Sequence, residues 1–209
     1  MYSKLIYDFV GTSGCGKTTI MNSVKTTLID LGRTVNIVES SSRTLLKQFD
    51  LKLYDKTSDF TQCFISLINW AEIFDSIMRY DVTLCTDLGI RSLAYTMFSP
   101  NNQQTTIDAH SKVVKFFMSE EFASKVMPVW VYIPLEIKMD VNENDAHRGF
   151  VDLDAHKWVD KIIRNILFDF DVPHYILTGS KRERADAMDG LVTDFDRFMK
   201  PARVKGWHL

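Results

Sequence analysis

One segment restricts the possible folds of this chain more than any other. Residues 11–18 read Gly-Thr-Ser-Gly-Cys-Gly-Lys-Thr, which has the spacing G-x-x-x-x-G-K-T. The segment follows the apolar run Leu5–Val10 and precedes an amphipathic stretch with helical spacing. Glycines let the backbone turn so that successive N–H groups face one anion, and the helix N-terminus adds its positive end. The segment therefore predicts a phosphate-binding loop between a strand and a helix.

The same loop predicts which residues hold a nucleotide. Lys17 would reach the β- and γ-phosphates, and the Thr18 hydroxyl would bind Mg²⁺. Cys15 occupies a free position of the motif, where a filler role is favoured over a reactive thiol. The residues expected to line the nucleotide are Gly11, Thr12, Ser13, Gly14, Cys15, Gly16, Lys17, Thr18 and Thr19. The expected cofactors are therefore ATP and Mg²⁺.

Composition predicts one compact domain over residues 1–209. The chain has 209 residues, of which 45% are hydrophobic, so it can bury a core of ordinary size. The formal net charge is −2, which argues against an overall basic field that would attract nucleic acid or an anionic membrane. Cys15, Cys63 and Cys85 form neither a metal-spaced pair nor an even disulfide set, so we expect a reducing compartment.

Nothing in the sequence indicates secretion or membrane insertion. The N-terminus enters an apolar strand directly and lacks the features of a signal peptide. The longest apolar stretch, residues 60–78, contains Asn69, Glu72 and Asp75, which predicts a buried helix and not a membrane span. We therefore expect a cytoplasmic protein with no membrane partner.

Short apolar runs alternate with longer amphipathic segments, which is typical of βα units around a parallel sheet. The predicted strands are residues 5–10, 34–38, 82–86, 129–133 and 174–177. The predicted helices are residues 17–31, 58–79, 90–97, 105–125 and 154–169, with a last helix that ends near residue 199. The expected fold is α/β, with polar residues at the carboxyl ends of the strands, where such sheets bind ligands.

Two acidic residues follow predicted strands. Glu39 ends the second strand, which we expect to lie beside the first with its carboxyl end close to the phosphate-binding loop. A carboxylate there would take the proton from an acceptor hydroxyl. Its alternative is a residue at a helix N-terminus, because the serines at 40–42 resemble a cap. Asp87 ends the third strand and suits a role in holding Mg²⁺ or its water, which we favour over capping of the next helix.

Three arginines are candidates for contacts with phosphates or with the base. Arg91, one helical turn after Asp87, would hold a phosphate oxygen or lie on a solvated face. Arg148 lies in the polar stretch at about 135–153, interpreted as a lid that lays an arginine over the phosphates, with an acidic surface loop as the alternative. Arg182, after the fifth strand, would stack on the adenine or belong to a charged first helical turn.

With these motifs placed, the chain resembles the nucleoside- and nucleotide-kinase branch of P-loop proteins over nearly its full length. The Glu39-x-x-x-Arg43 element, Asp87 with the segment 91–95 (Arg-Ser-Leu-Ala-Tyr), and the Arg148 lid are similar to the ribosylnicotinamide-kinase-like AAA-type ATPase/kinase family. That family includes bacteriophage kinases that phosphorylate 5-hydroxymethyluracil in DNA. The segment 87–95 also resembles thymidylate kinase, although Leu88 follows Asp87 directly here.

The resemblance implies a P-loop NTPase three-layer sandwich with a five-stranded parallel sheet, MgATP as phosphate donor and a nucleoside-like acceptor. It also implies the cytoplasm of a bacterium or of a phage-infected host. The favoured acceptor is 5-hydroxymethyluracil in phage-type DNA, and a free nucleoside or nucleoside monophosphate is the alternative. A P-loop ATPase that acts as a switch on a partner is the alternative function.

The basic tail at residues 200–209 bears on the choice of acceptor. It interleaves cations with Trp207, and basic residues beside an aromatic can bind a strand and stack a base. A solvated terminus explains the same residues. The acidic pI of about 6.2 argues mildly against DNA.

Overall fold

The computed structural model describes residues 4–40, 45, 47–48, 59–99, 103–135 and 153–197. Within these ranges five parallel strands form one sheet: β1 Leu5–Val10, β2 Val35–Ile37, β3 Val82–Cys85, β4 Met127–Tyr132 and β5 His174–Ile176. The strand order is β2-β3-β1-β4-β5. Since all neighbours run parallel, the carboxyl ends of the strands meet at one edge of the sheet.

The helices connect these strands and cover the two faces of the sheet. Their bounds in the described part of the chain are α1 Lys17–Asp30, α2 Asp59–Arg79, α3 Ile90–Phe98, α4 Gln104–Met118, α5 Glu120–Ala123, α6 Leu153–Asp169 and α7 Lys181–Asp196. The predicted α/β fold with a five-stranded parallel sheet is confirmed.

The core lies on both sides of β1, whose six residues are all buried. Because successive side chains of a strand point to opposite faces, β1 contributes to two separate apolar clusters. Leu5, Tyr7 and Phe9 join residues of α1 and α7. Ile6 and Val10 join residues of α2, α3, α4 and α6. These clusters fix β1, and with it the start of the loop at residues 11–16.

The order of the strands corrects one premise of the sequence interpretation. The proposed role of Glu39 assumed that the second strand lies beside the first. In the structure β3 lies between β2 and β1, and β2 pairs only with β3 among the described strands. Glu39 is therefore separated from the phosphate-binding loop by the end of β3, which carries Thr86 and Asp87.

Two predicted helices also differ from the structure. The helix predicted at 105–125 is two helices, because Ser119 adopts an extended backbone and its hydroxyl accepts from the N–H of Phe122 at the start of α5. The apolar stretch at 60–78 was predicted to be buried, but α2 is amphipathic. Its residues Leu67, Phe74 and Met78 are exposed, Met78 by 80%. Within the described ranges, every helix is too short or too polar to cross a lipid bilayer.

The start of α7 is fixed by a reciprocal cap that is open to a direct test. The Ser180 hydroxyl accepts from the N–H of Glu183, and the Ser180 N–H donates to the Glu183 carboxylate at 2.7 Å. Ser180→Ala removes one of these bonds, so we expect the free energy of unfolding to fall by about 1 kcal/mol in urea titration. Thr193→Ala, on an exposed turn of the same helix, is the control. An equal effect of both substitutions would contradict the capping role.

Candidate active site

The loop at residues 11–16 joins β1 to α1 and leaves the N-terminus of α1 open to an anion. Gly16 is the N-cap, with φ of 95°, a left-handed conformation that favours glycine. It supplies no side-chain cap, and the first turn of α1 contains no acidic residue. The first N–H groups of the helix, which have no partner within the helix, can therefore bind a phosphate.

Gly11 permits a close approach of the loop to β4. A Cβ atom at this position would lie 2.6 Å from the carbonyl oxygen of Ile133 and 2.8 Å from the Cys15 Sγ. Cys15 is buried, which agrees with the filler role predicted for it. The absence of a side chain at Gly11 thus lets the loop lie tightly on the end of β4.

Lys17, the first residue of α1, lies buried beneath the loop that precedes it. Its Nζ donates to the carbonyl oxygens of Gly11, at 2.9 Å, and of Thr12, and lies 3.5 Å from the Cys15 Sγ. Burial lowers the pKa of Lys17 from its ordinary value, and the nearby Arg91 guanidinium lowers it further. An anion bound in the loop would counteract the lowering of the Lys17 pKa by burial and by Arg91. Its full negative charge stabilises the ammonium more than the partial charges of the carbonyl oxygens do.

Arg91 is the second buried cation at this edge of the sheet. It is only 9% exposed; its Nη1 donates to the Thr86 hydroxyl at 3.3 Å, and its Nε has no hydrogen-bond partner among the described residues. The guanidinium carbon lies 5.6 Å from the centre of the Tyr95 ring, and the Tyr95 hydroxyl lies 3.4 Å from the Ser13 hydroxyl in the loop. A buried guanidinium with so few acceptors is suited to a phosphate group. The solvated-face alternative for Arg91 is therefore wrong.

Asp87 is engaged by the N-terminus of α3. Its Oδ1 accepts from the N–H groups of Gly89 and Ser92, each at 3.1 Å, and its Oδ2 accepts from the Ser92 hydroxyl. The capping role, which the sequence interpretation ranked second, is thus present in the structure. Three accepted hydrogen bonds leave carboxylate lone pairs for a further ligand or its water. The role of Asp87 with Mg²⁺ stays a prediction.

Asp8 is a buried carboxyl that the sequence interpretation missed. It lies in the middle of β1 and its Oδ2 accepts from the N–H of Leu88 at 3.0 Å. Burial raises the pKa of Asp8 to about 8, and the charge of Asp87 contributes to the increase. The available signal was an aspartate inside the otherwise apolar strand Leu5–Val10.

Arg184, which the sequence interpretation also missed, forms a hydrogen bond to the backbone of the loop. It lies on the first turn of α7, is almost completely buried, and donates from Nη1 to the Cys15 carbonyl oxygen at 3.2 Å. This hydrogen bond joins the last described helix to the phosphate-binding loop. The sequence offered no local signal for it, because residues 15 and 184 meet only through the tertiary fold.

The remaining predicted residues lie further from this cluster or outside the described part. The Glu39 side chain is exposed just beyond the end of β2. Arg182 lies on the first turn of α7, where its side chain is 92% exposed and its Nε is 3.8 Å from an Asp186 carboxylate oxygen. Arg148, almost all of the proposed lid at 135–153 and the tail at 200–209 lie outside the described residues. Among the predicted residues, the structure brings Lys17 and Arg91 together with the loop, and Asp87 lies at the start of the helix that carries Arg91.

The donor groups fit a magnesium ion held mainly by phosphates and water. In the ranges that the structure describes, no group of three or more His, Cys, Asp or Glu side chains could hold a metal by itself. Mg²⁺ usually keeps several waters and takes one or two protein ligands besides phosphates. Thr18, an exposed residue on the first turn of α1, is the predicted hydroxyl ligand of such an ion.

Solved structures with a similar fold include the NadR protein and a deoxyadenosine kinase. The NadR protein in complex with NR aligns with a TM-score of 0.64 and 12% sequence identity, over 99% of this chain and 53% of the NadR chain. Deoxyadenosine kinase from M. mycoides with bound dCTP aligns with a TM-score of 0.62 and 12% identity, over 90% of this chain and 99% of that chain. The present chain thus spans about half the length of NadR.

At these identities the similarity shows a shared fold and no more. No protein-family model and no curated protein matches the sequence.

The burial of Lys17 under the loop leads to a prediction about nucleotide binding. Lys17→Ala removes the ammonium that faces the phosphates, so we expect the affinity for ATP in magnesium buffer to fall by at least about tenfold. Calorimetry measures this change directly. Lys112→Ala, on the exposed face of α4, removes a lysine elsewhere and is the control. Unchanged affinity in Lys17→Ala would contradict the assignment of the loop.

Asp8 leads to a prediction about the pH dependence of stability. Its pKa is about 8 in the folded chain, against an ordinary value of 3.8, so the folded state keeps a proton that the unfolded state loses in this interval. The stability that this group contributes is present at low pH and is lost as the pH rises from about 4 to about 8. Asp8→Asn cannot titrate, so its unfolding free energy relative to wild type should increase over that range. Urea titrations at several pH values measure this difference, and a constant difference would contradict the prediction.

Proposed function

We propose that this chain is an ATP-dependent phosphotransferase that moves the γ-phosphate of ATP to a hydroxyl of a nucleoside-like acceptor. The observation that carries the proposal is a pair of buried cations, Lys17 and Arg91, beside the uncapped N-terminus of α1. The ammonium, the guanidinium and the first N–H groups of α1 have few hydrogen-bond acceptors within the described protein. Their positive charge and donor groups are complementary to a polyphosphate.

The chemistry of phosphoryl transfer explains why this arrangement suits a kinase. The transferred group develops charge on its equatorial oxygens, and catalysis depends on donors that are already oriented toward them. Lys17 approaches from the loop, and Arg91 approaches from α3. Both side chains are shielded from water, which strengthens their interaction with the transferred phosphate.

Magnesium, when bound with ATP, neutralises phosphate charge and orients the β- and γ-phosphates. In this proposal Thr18 contributes a hydroxyl to it, and Asp87 contributes a carboxylate oxygen directly or through water. The uncapped N–H groups at the start of α1 bind the phosphate oxygens. Gly11 and Gly16 keep the loop close enough to the sheet for these groups to converge.

Glu39 is proposed as the group that accepts the proton of the acceptor hydroxyl. It follows β2, and the strand order puts β3, with Asp87 after it, between Glu39 and the loop. An acceptor bound across the end of β3 would therefore lie between the carboxylate and the γ-phosphate. Arg148 in the lid and Arg182 near the adenine complete the proposal as further phosphate- and base-binding residues.

Two observations support a nucleoside-like acceptor. Deoxyadenosine kinase with bound dCTP matches this chain over nearly its full length, and the NadR structures contain NR in one case and NAD with AMP-PNP in another. The resemblance in sequence motifs favours 5-hydroxymethyluracil in DNA, whereas these neighbours favour a free nucleoside. The shared chemistry is a hydroxyl on a nucleoside.

A transfer assay with labelled ATP separates these possibilities. The acceptors are free nucleosides, nucleoside monophosphates, and DNA that contains 5-hydroxymethyluracil. Transfer of label to any of them supports the kinase, and binding to the DNA should weaken strongly as salt increases. Release of labelled phosphate without any acceptor would instead support a P-loop ATPase that switches a partner.

Glu39→Gln tests the proposed base within that assay. The amide cannot accept the proton, so turnover should fall by roughly 10²–10⁴-fold while the affinity for ATP stays unchanged. Glu72→Gln, on the exposed surface of α2, is the matched control. An equal loss of ATP affinity in Glu39→Gln would assign this residue to the metal instead of the proton.

A further inference from the structure

A buried chain of hydrogen bonds connects Asp87 to α4. The Ser92 hydroxyl on α3 donates to Asp87 Oδ2. The Ser66 hydroxyl on α2 lies 2.8 Å from the Ser92 hydroxyl. The His110 Nε2 on α4 lies 3.0 Å from the Ser66 hydroxyl. Four side chains from three helices and the end of β3 thus form one continuous path.

The path is closed to solvent along its whole length. Ser66 is 1% exposed, His110 is 2% exposed, Asp87 is 4% exposed and Ser92 is 6% exposed. Polar groups at this depth must pair with each other, because an unpaired buried group costs the free energy of its lost hydration. The Trp70 ring lies edge-on to His110, with the ring centres 5.6 Å apart, and limits the movement of the imidazole.

Contacts at both ring nitrogens fix the position of His110. His110 Nδ1 lies 2.9 Å from the Thr106 carbonyl oxygen, which only accepts, so Nδ1 is a donor. Nε2 lies 3.0 Å from the Ser66 hydroxyl, which can donate or accept. The Ser66 hydroxyl lies 2.8 Å from both the Ser92 hydroxyl and the Gln62 carbonyl oxygen, which share its single proton. The group at the place of Nε2 therefore bears on how Ser66 is held against Ser92.

We propose that His110 is a positioning residue for the phosphoryl transfer: its Nε2 holds the Ser66 hydroxyl and thereby, through Ser92, fixes the orientation of the Asp87 carboxylate. The proposal rests on the kinase function proposed above. His110 does not touch the nucleotide; it acts through Ser66 and Ser92. The carboxylate is also held by the N-terminus of α3, but the path supplies the bond to Oδ2, which these backbone groups do not make.

Two substitutions of similar size separate positioning from packing. His110→Gln puts its amide near the place of Nε2 and keeps a hydrogen-bond partner for Ser66. His110→Asn puts its amide near the place of Nδ1, where it can still pair with Thr106 but does not reach Ser66. We expect Gln to retain most of kcat and Asn to lower kcat by about tenfold, with the Kd for ATP nearly unchanged in both. Equal losses in both variants would overturn the proposal.

Ser66→Ala tests whether the effect of His110 on catalysis passes through Ser66. If the path carries the effect, combining Ser66→Ala with His110→Asn lowers kcat no further than one substitution alone, because each already interrupts the same path. Losses that multiply would show that the two residues act separately and would overturn the proposal. Thermal denaturation of each variant, measured in parallel, identifies any loss of folded protein.

A spectroscopic measurement tests the path independently of catalysis. The ¹⁵N resonance of His110 Nε2 should shift in Ser66→Ala, which removes its hydrogen-bond partner, while the Nδ1 resonance, which reports the contact with Thr106, should change little. An Nε2 resonance that Ser66→Ala leaves unchanged would overturn the inference even if the protein is an active kinase. Conversely, failure of phosphoryl transfer to any acceptor would contradict the proposed function, while the ring spectra would still decide whether the path exists.

Discussion

The structure of the site depends on the burial of positive charge at the end of β1. Lys17 is held under its own loop by carbonyl oxygens, which stabilise an ammonium only in part. Arg91 lies close enough to lower the pKa of Lys17 further. Two desolvated cations beside an uncapped helix N-terminus are unfavourable by themselves, and a polyphosphate would compensate all three features together. The chain thus maintains locally unfavourable electrostatics that a ligand can relieve.

The sheet makes this arrangement possible because it fixes the strand that precedes the loop. β1 is buried on both faces and joined to β3 and β4, so the residue before Gly11 has little freedom. The polar groups gather where the strands end. Asp8 differs, because its carboxyl lies within β1. It accepts a hydrogen bond from the N–H of Leu88, in the segment before α3. The carboxyls of Asp8 and Asp87 are therefore both held by backbone groups between β3 and α3.

Much of the fold followed from local sequence patterns, whereas several parts of the site did not. The spacing of the loop predicted β1, the turn and the start of α1, because that motif requires a strand before it and a helix after it. The strand order could not be read from the chain, and the position of Glu39 relative to the loop was inferred wrongly for that reason. Arg184 and His110 act across long sequence separations, so periodicity and motif spacing gave no sign of them. Apolar spacing predicted one continuous helix at 105–125, whereas the extended backbone of Ser119 divides it into two.

The contact between Arg184 and the Cys15 carbonyl oxygen has a consequence for the order in which the protein matures. The loop is encoded near the start of the chain, while the arginine behind it is encoded more than 150 residues later. During synthesis on the ribosome, the early segment emerges well before its support exists. The loop at residues 11–16 therefore reaches its native packing only when α7 has been translated and has docked. Under the proposed function, capture of a nucleotide by a nascent chain would report completion of this helix.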